Sequence, residues 1–196
     1  LHGASGYLTG YLEGLMAAQR HIYGYYFLEE LLNDEIVEEF RRHLPGFYTP
    51  PQSAVRNDRA AMAQLYLCAK ISAEERIRTM QVLGRRFSVD LYTGSDTKGL
   101  PVRNRGLAKT LTEMPLIFHY SKINLNITSK SIREGLPLRI FDILGCGGFL
   151  LTNYQSELCD YFMPGTDLDC YGSEDELLEK TEYYLTHDKD REEIAR

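Results

Sequence analysis

The sequence predicts an α/β protein with a doubly wound, mostly parallel sheet that is preceded by a helical region. In the first 71 positions, apolar residues recur at helical spacing. From position 72 onward, short apolar runs alternate with helical stripes. Short loops join these segments, which favours parallel strands connected by helical crossovers. We therefore expect a helical region over residues 1–71 and an α/β domain over residues 72–196.

Three apolar stripes predict the helices of the first region. Leu8, Leu12 and Leu15 follow the helical period, a second stripe covers residues 36–40, and a third lies within residues 57–69. The tyrosines within residues 23–26 are typical of half-buried packing, and a binding surface is the alternative.

Apolar runs predict the strands of the α/β domain, and two capping boxes predict helix starts. β-branched and aromatic residues mark strands at 87–92, 123–127, 149–151 and 168–171, with a short extended piece near 101–103. Ser72 is followed three residues later by Glu75, and Ser173 by Glu176, which is typical of capped helices. Further helices are expected at 112–120, from Pro137 to the glycine-rich run, and at 156–161.

Composition and charge exclude several classes of protein. The 196 residues carry a formal net charge of −6 with a pI near 5.4, which argues against a nucleic-acid-binding surface. No apolar run approaches the roughly 18 residues of a membrane span, and no signal peptide opens the sequence. The four cysteines lack metal-ligand spacing. We therefore expect a cytoplasmic protein with reduced cysteines, no membrane span and no nucleic-acid partner.

Both ends of the sequence have the character of interior positions of a longer chain. The first residue is Leu1 instead of methionine, and Arg196 lies in a charged segment with helical character. We expect a piece of a longer protein that is truncated at its C-terminus and lacks an N-terminal domain.

The helix predicted after Pro137 has features of an anion-binding site. A helix N-terminus presents free N–H groups and a partial positive charge, and proline is common at the first helical position. Arg139 lies in the first turn, where the helix dipole opposes a cation unless an anion binds nearby. Arg139 is therefore a candidate phosphate ligand, and Lys122 is a second. The alternatives are a surface arginine paired with an acid and a solvated lysine.

The glycine-rich run Gly145-Cys146-Gly147-Gly148 follows this helix instead of opening one. A glycine-rich phosphate-binding loop precedes its helix, whereas this run comes after one. The run therefore predicts a C-cap and close packing of the helix on the next strand. We accordingly leave it out of the candidate site.

Two acidic residues and three runs around the same helix resemble a known family. Glu134 and Asp142 are separated by seven residues, which resembles the acid–x7–acid signature of glycosyltransferases with the GT-B fold. The runs at 122–126, 135–142 and 147–152 more closely resemble the CgeB-like group of bacterial spore maturation proteins. The similarity is clear in the second half of the chain and weak in the first.

The resemblance implies a Rossmann-like half of a GT-B fold that binds a nucleotide diphosphate sugar as donor substrate, without a metal or further cofactor. Asp142 would hold the ribose, although the family usually has glutamate there, one methylene longer. Glu134 would lie nearer the sugar and is the predicted catalytic residue. On spacing alone, these two acids are an exposed helix acid and a solvated loop acid. The predicted donor-binding residues are Lys122, Gly135, Arg139, Asp142 and Thr152.

We therefore expect a glycosyltransferase that moves a sugar from its donor to an acceptor that the sequence does not identify. The chain by itself is expected to be inactive without its N-terminal domain. One alternative is a non-catalytic nucleotide-binding or assembly module in a surface-polysaccharide or spore-coat pathway. Another is a different nucleotide-binding enzyme, such as a sugar-nucleotide epimerase.

Overall fold

The computed structural model describes residues 4–19, 28–48, 57–132 and 134–196. They form two compact units. The first holds the described residues up to 73 together with 129–132, and the second holds 74–128 and 134–196. The tyrosines predicted to pack within 23–26 lie outside the described residues.

The first unit is helical, as the sequence predicts. Its described elements are α1 (Gly6–Gln19), α2 (Leu28–Leu31), α3 (Asp34–His43), α4 (Asp58–Ala61), a π-helical segment (Met62–Leu67) and the first turns of α5 (Cys68–Arg86). The apolar stripes meet in a core that includes Leu8, Leu12, Ile36, Phe40, Met62 and Leu67.

Local chemistry sets the limits of α3. The side chain of Asn33 accepts a hydrogen bond from the N–H of Ile36 at 2.9 Å, which caps the helix start. Acidic residues occupy the first turn and basic residues the last, which complements the helix dipole. The helix ends at His43, two residues before Pro45, which cannot continue it.

The capping box predicted at Ser72 is wrong, because α5 runs without interruption from Cys68 to Arg86. The preceding residues are already helical, so no free N–H group at this point needs a cap. The Ser72 hydroxyl instead accepts a hydrogen bond from the N–H of Lys130 at 2.9 Å. It also bonds to the hydroxyl of Ser129 at 3.3 Å.

The second unit contains all the described strands. These are β1 (Asp90–Leu91), β2 (Arg103–Asn104), β3 (Asn124–Asn126), β4 (Leu150–Asn153) and β5 (Asp169–Tyr171). The helices after α5 are α6 (Met114–Tyr120), α7 (Leu138–Gly145), α8 (Leu158–Tyr161), α9 (Glu174–Thr186) and α10 (Asp188–Ile194). Each predicted strand and helix of this region is present. β1, β3 and β5 are shorter than predicted, whereas β4 covers residues 150–153 instead of the predicted 149–151.

Every strand pair is parallel, but the sheet is not clearly doubly wound. β1 pairs with β2, and β3, β4 and β5 form a separate sheet in that order. A doubly wound sheet has a point where the strand order reverses, and the order β3-β4-β5 contains no reversal. The described unit is a mixed α/β fold with two small parallel sheets, consistent with a Rossmann-like fragment.

The crossover helix α7 joins β3 to β4 and supplies much of the core. Its Ile140 and Ile143 are buried at 0% and 1% exposure, whereas Leu138 and Asp142 are exposed. The buried face packs in a cluster made of Phe118, Ile140, Ile143, Leu150, Leu158 and Leu168. The helix begins one residue later than predicted, because Pro137 is the N-cap residue.

The glycine-rich run ends α7 as the sequence predicts. Gly147 has a φ of 66°, its N–H donates to the carbonyl of Leu144, and the N–H of Gly148 donates to the carbonyl of Ile143. These two bonds form a Schellman motif. A Cβ on Gly148 would lie 2.5 Å from the carbonyl oxygen of Phe118, so only glycine fits where the chain enters β4.

A polar cluster fixes α9 on β5. Ser173 caps α9 by accepting from the N–H of Glu176 at 3.1 Å, as predicted, while the Glu176 carboxylate accepts from the N–H of Gly172. Lys180 Nζ lies 2.9 Å from Asp169 Oδ1, and the Tyr184 hydroxyl donates to Asp169 Oδ2 at 2.8 Å. Burial raises the pKa of Tyr184, and its hydrogen bond to Asp169 raises it further.

Gly148→Ala should lower the free energy of unfolding by about 1–3 kcal/mol, because the new methyl group must displace the backbone of Phe118. Gly145→Ala is the matched control, since a Cβ there meets nothing within 4 Å. The control should be neutral or slightly stabilising, because alanine is the better helix former. Urea denaturation of the three proteins measures the difference, and equal stabilities would contradict the close approach.

Tyr184→Phe should lower the free energy of unfolding by about 1–2 kcal/mol near neutral pH, because Asp169 loses a hydrogen bond. This deficit should shrink as the pH rises above the ordinary tyrosine pKa of 10.0. The unfolded phenol then ionises while the folded one keeps its proton, so the wild type loses this contribution. Denaturant titrations from about pH 8 to 11 measure the trend. The exposed Tyr161→Phe is the control, and a deficit that stays constant with pH would refute the linkage.

Candidate functional site

The carboxyl ends of β3, β4 and β5 lie at one edge of their sheet, since the three strands are parallel. Ligands of open α/β sheets bind outside this edge. The strands end there in polar side chains that are almost wholly buried: Asn126, Thr128, Thr152 and Asn153. Buried polar side chains therefore line this edge within the second unit.

A hydrogen-bond network joins these side chains. Asn126 Nδ2 donates to Thr128 Oγ1 and to Thr152 Oγ1, both at 2.9 Å. Asn153 Oδ1 accepts from the N–H of Thr128 at 2.8 Å. The Thr128 hydroxyl in turn donates to Gln155 Oε1 at 3.1 Å. The network links the ends of β3 and β4 and fixes the start of the loop that follows each strand.

The start of α7 faces this edge without a side-chain cap. Pro137 is the N-cap residue and has no side-chain oxygen, so the N–H groups at the helix start lack a capping partner. Gly135, two residues earlier, has a φ of 85°, and its N–H donates to the carboxylate of Glu157. This bond joins the loop before α7 to the loop after β4.

Three predicted site residues are charged groups around the start of α7. Glu134 and Asp142 are exposed, and neither carboxylate has a hydrogen bond or an ion pair with a described residue. Asp142 is the fifth residue of α7, three positions after Arg139, so the two lie on the same side of the helix. The guanidinium of Arg139 lies 5.4 Å from the ring centre of Phe118, which is cation–π geometry.

Lys122 lies away from this group. It precedes β3 by two residues and is therefore at the amino end of the strand, while the other candidates follow carboxyl ends. Its ammonium group pairs with Asp188 at 3.1 Å. Hydrogen bonds from Arg191 and from Lys122 lower the pKa of the Asp188 carboxyl group. The structure thus places Lys122 in an ion pair with the C-terminal helix α10.

Thr152 is at the predicted edge but is fully buried. Its hydroxyl accepts from Asn126 and donates to the carbonyl of Asn153 at 3.3 Å, so it belongs to the polar network. Sequence reasoning missed the other members of this network, although Asn126 stands in one of the quoted runs. The available signal was a polar residue between the apolar residues of a predicted strand.

The described residues contain no group of three or more histidine, cysteine or acidic side chains placed to hold a metal ion. None of their helices combines the length and the apolar character needed to cross a membrane.

Comparison with known families defines the class of the protein. A model described as "Glycosyl transferase-like" matches residues 64–196, which is more than half of the chain and includes the whole β3-β4-β5 sheet. The chain therefore belongs to this glycosyl transferase-like family. Membership supports a glycosyltransferase role in general and implies a sugar donor and an acceptor. No curated protein sequence matches the chain.

Thr152→Val should lower the free energy of unfolding by about 1–3 kcal/mol, because the shape is kept while the buried amide of Asn126 loses an acceptor. The same change at the exposed Thr110 is the control and should have almost no effect. Thermal and urea unfolding of both variants test this. If Thr152→Val is as stable as the control, the threonine hydroxyl is not part of the network that holds the edge.

Proposed function

We propose that this protein binds a nucleotide diphosphate sugar at the carboxyl edge of β3 and β4, in front of α7, and transfers the sugar to an acceptor. We further propose that it is a member of the CgeB-like group. The observation that carries the proposal is the placement of Glu134, Arg139 and Asp142. All three lie within the family-matched region, around an uncapped helix start, and none has an ionic partner among the described residues.

The diphosphate is the part of the donor that suits the start of α7. Its charge matches the uncapped N–H groups and the positive end of the helix dipole. Arg139 in the first turn adds a positive charge that the dipole disfavours in the absence of an anion. The ring of Phe118 supports the guanidinium without neutralising it, so its charge remains available for phosphate oxygens.

The two acids suit the polar groups on either side of the diphosphate. A carboxylate can accept hydrogen bonds from both ribose hydroxyls at once, and this is the role proposed for Asp142. Glu134 lies in the loop before α7 and would contact the transferred sugar. During transfer, negative charge develops on the departing diphosphate. The helix start and Arg139 would stabilise that charge more strongly in the transition state than in the bound donor.

Asp142→Asn should weaken binding of a nucleoside diphosphate by roughly 1–3 kcal/mol, because the side chain keeps its shape but loses one charged acceptor oxygen. Stability should change little, since Asp142 is exposed. Pyrophosphate has no ribose, so its binding should be affected less. Calorimetric titration of wild type and variant measures these affinities.

Asp160→Asn is the matched control for this experiment. Asp160 is exposed on α8 and undergoes the same change of charge, so it accounts for any general electrostatic effect. Asp142→Glu restores the residue that the resembled family usually has and should keep or tighten binding. A folded Asp142→Asn protein with unchanged nucleotide affinity would show that Asp142 does not hold the ribose. A protein that binds no nucleoside diphosphate would instead favour a non-catalytic assembly module.

A further inference from the structure

Gln155 is a polar residue at the carboxyl edge that neither the sequence nor the family match assigns to the site. It is the second residue after β4 and is half-buried. Its carbonyl oxygen, Oε1, accepts the hydrogen bond from the hydroxyl of Thr128 at 3.1 Å. Its amide nitrogen, Nε2, donates to no described residue. One end of the side chain is therefore held by the protein, and the other is available.

The network determines which end of the amide faces outward. Thr128 has a single hydroxyl hydrogen, and its oxygen already accepts from Asn126 Nδ2 at 2.9 Å. The hydrogen of this buried hydroxyl needs an acceptor of its own, and Gln155 Oε1 lies in that position. If the Gln155 amide were reversed, two donors would face the Thr128 oxygen and its hydrogen would lose this acceptor. The outward group is consequently the amide N–H2, which carries two hydrogen-bond donors.

The segment that carries Gln155 is hydrogen-bonded to the loop before α7. Glu157 follows Gln155 by two residues, and its carboxylate accepts the N–H of Gly135. Gly135 stands between Glu134 and the uncapped start of α7. The backbone that carries Gln155 therefore borders the segment to which the donor substrate is assigned above.

We propose that the Gln155 side-chain amide donates a hydrogen bond to an acceptor oxygen of the bound nucleotide sugar, either on the diphosphate or on a sugar hydroxyl. This inference rests on the proposed function and adds a binding residue to it. Thr128 and Asn126 act as positioning residues, because they fix the direction of the amide. The resulting site prefers an oxygen acceptor at this point and disfavours a donor group.

Gln155→Glu tests the inference with the least structural change. A glutamate keeps an oxygen for the Thr128 hydroxyl, but it replaces the outward N–H2 with an oxygen that repels an acceptor. Gln155→Met is the second variant, since it keeps most of the volume without any donor. Gln81→Glu, on α5, is the control for the added negative charge. Each protein is titrated by calorimetry with the tightest binder among UDP, GDP, ADP, CDP and dTDP, and with the corresponding nucleotide sugar.

We expect both Gln155 variants to bind at least about tenfold more weakly than wild type, with the control unchanged. A loss with the nucleoside diphosphate places the contact on the diphosphate, and a loss with the nucleotide sugar alone places it on the sugar. Folded variants that bind both probes like wild type overturn the role of Gln155 and leave the proposed function standing. Should Gln155→Glu unfold, the methionine variant decides the question. A wild-type protein that binds neither probe overturns both proposals.

Discussion

The arrangement of the second unit depends on the hydrogen bonds made by two buried asparagines in β3, Asn124 and Asn126. A buried amide without hydrogen bonds costs several kcal/mol, so each asparagine dictates what lies next to it. Asn124 Nδ2 donates to the carbonyls of Phe118 and Phe149, at 2.8 and 3.1 Å, which ties the end of α6 to the start of the sheet. At the other end of the strand, Asn126 donates hydrogen bonds to Thr128 and Thr152, which ties β3 to the end of β4. Gly148 is required because the first of these contacts leaves no room for a side chain.

Sequence patterns predict the helices and strands of the fold better than they predict the contacts between these elements. Helical stripes, the cap at Ser173 and the glycine run gave the correct helices, because these signals are local. The helix start predicted from the capping box at Ser72 is wrong, because the same pattern inside a continuous helix has no free N–H group to satisfy. In β3 the apolar residues predicted a strand, yet the asparagines between them are the more buried residues. Apart from Thr128, which is two positions from Asn126, their partners are 6 to 26 positions away in the chain, and spacing does not reveal contacts at that range.

The sequence accounts for the proximity of some of the candidate site residues and not of others. Glu134, Arg139 and Asp142 lie in the neighbourhood of one helix, so their proximity follows from the sequence once the helix is recognised. Lys122 and Thr152 were included because they stand in runs near that helix. Whether such a residue faces the edge depends on strand direction and burial. Lys122 lies at the opposite end of β3, and Thr152 points into the interior. The sequence does not predict a role for Gln155, because a chain of hydrogen bonds through Asn126 and Thr128 sets its orientation.

The bond between Gly135 and Glu157 has a consequence for the entropy of ligand binding. Glycine has more backbone freedom than any other residue, so a loop built around it would ordinarily lose much of that freedom when a ligand orders it. The Glu157 carboxylate already restrains Gly135 in a left-handed conformation that few other residues adopt. Part of the ordering cost is therefore met during folding and not during binding. The Glu157 carboxylate holds the loop at Gly135 and does not cap α7, whose N-cap residue makes no side-chain hydrogen bond.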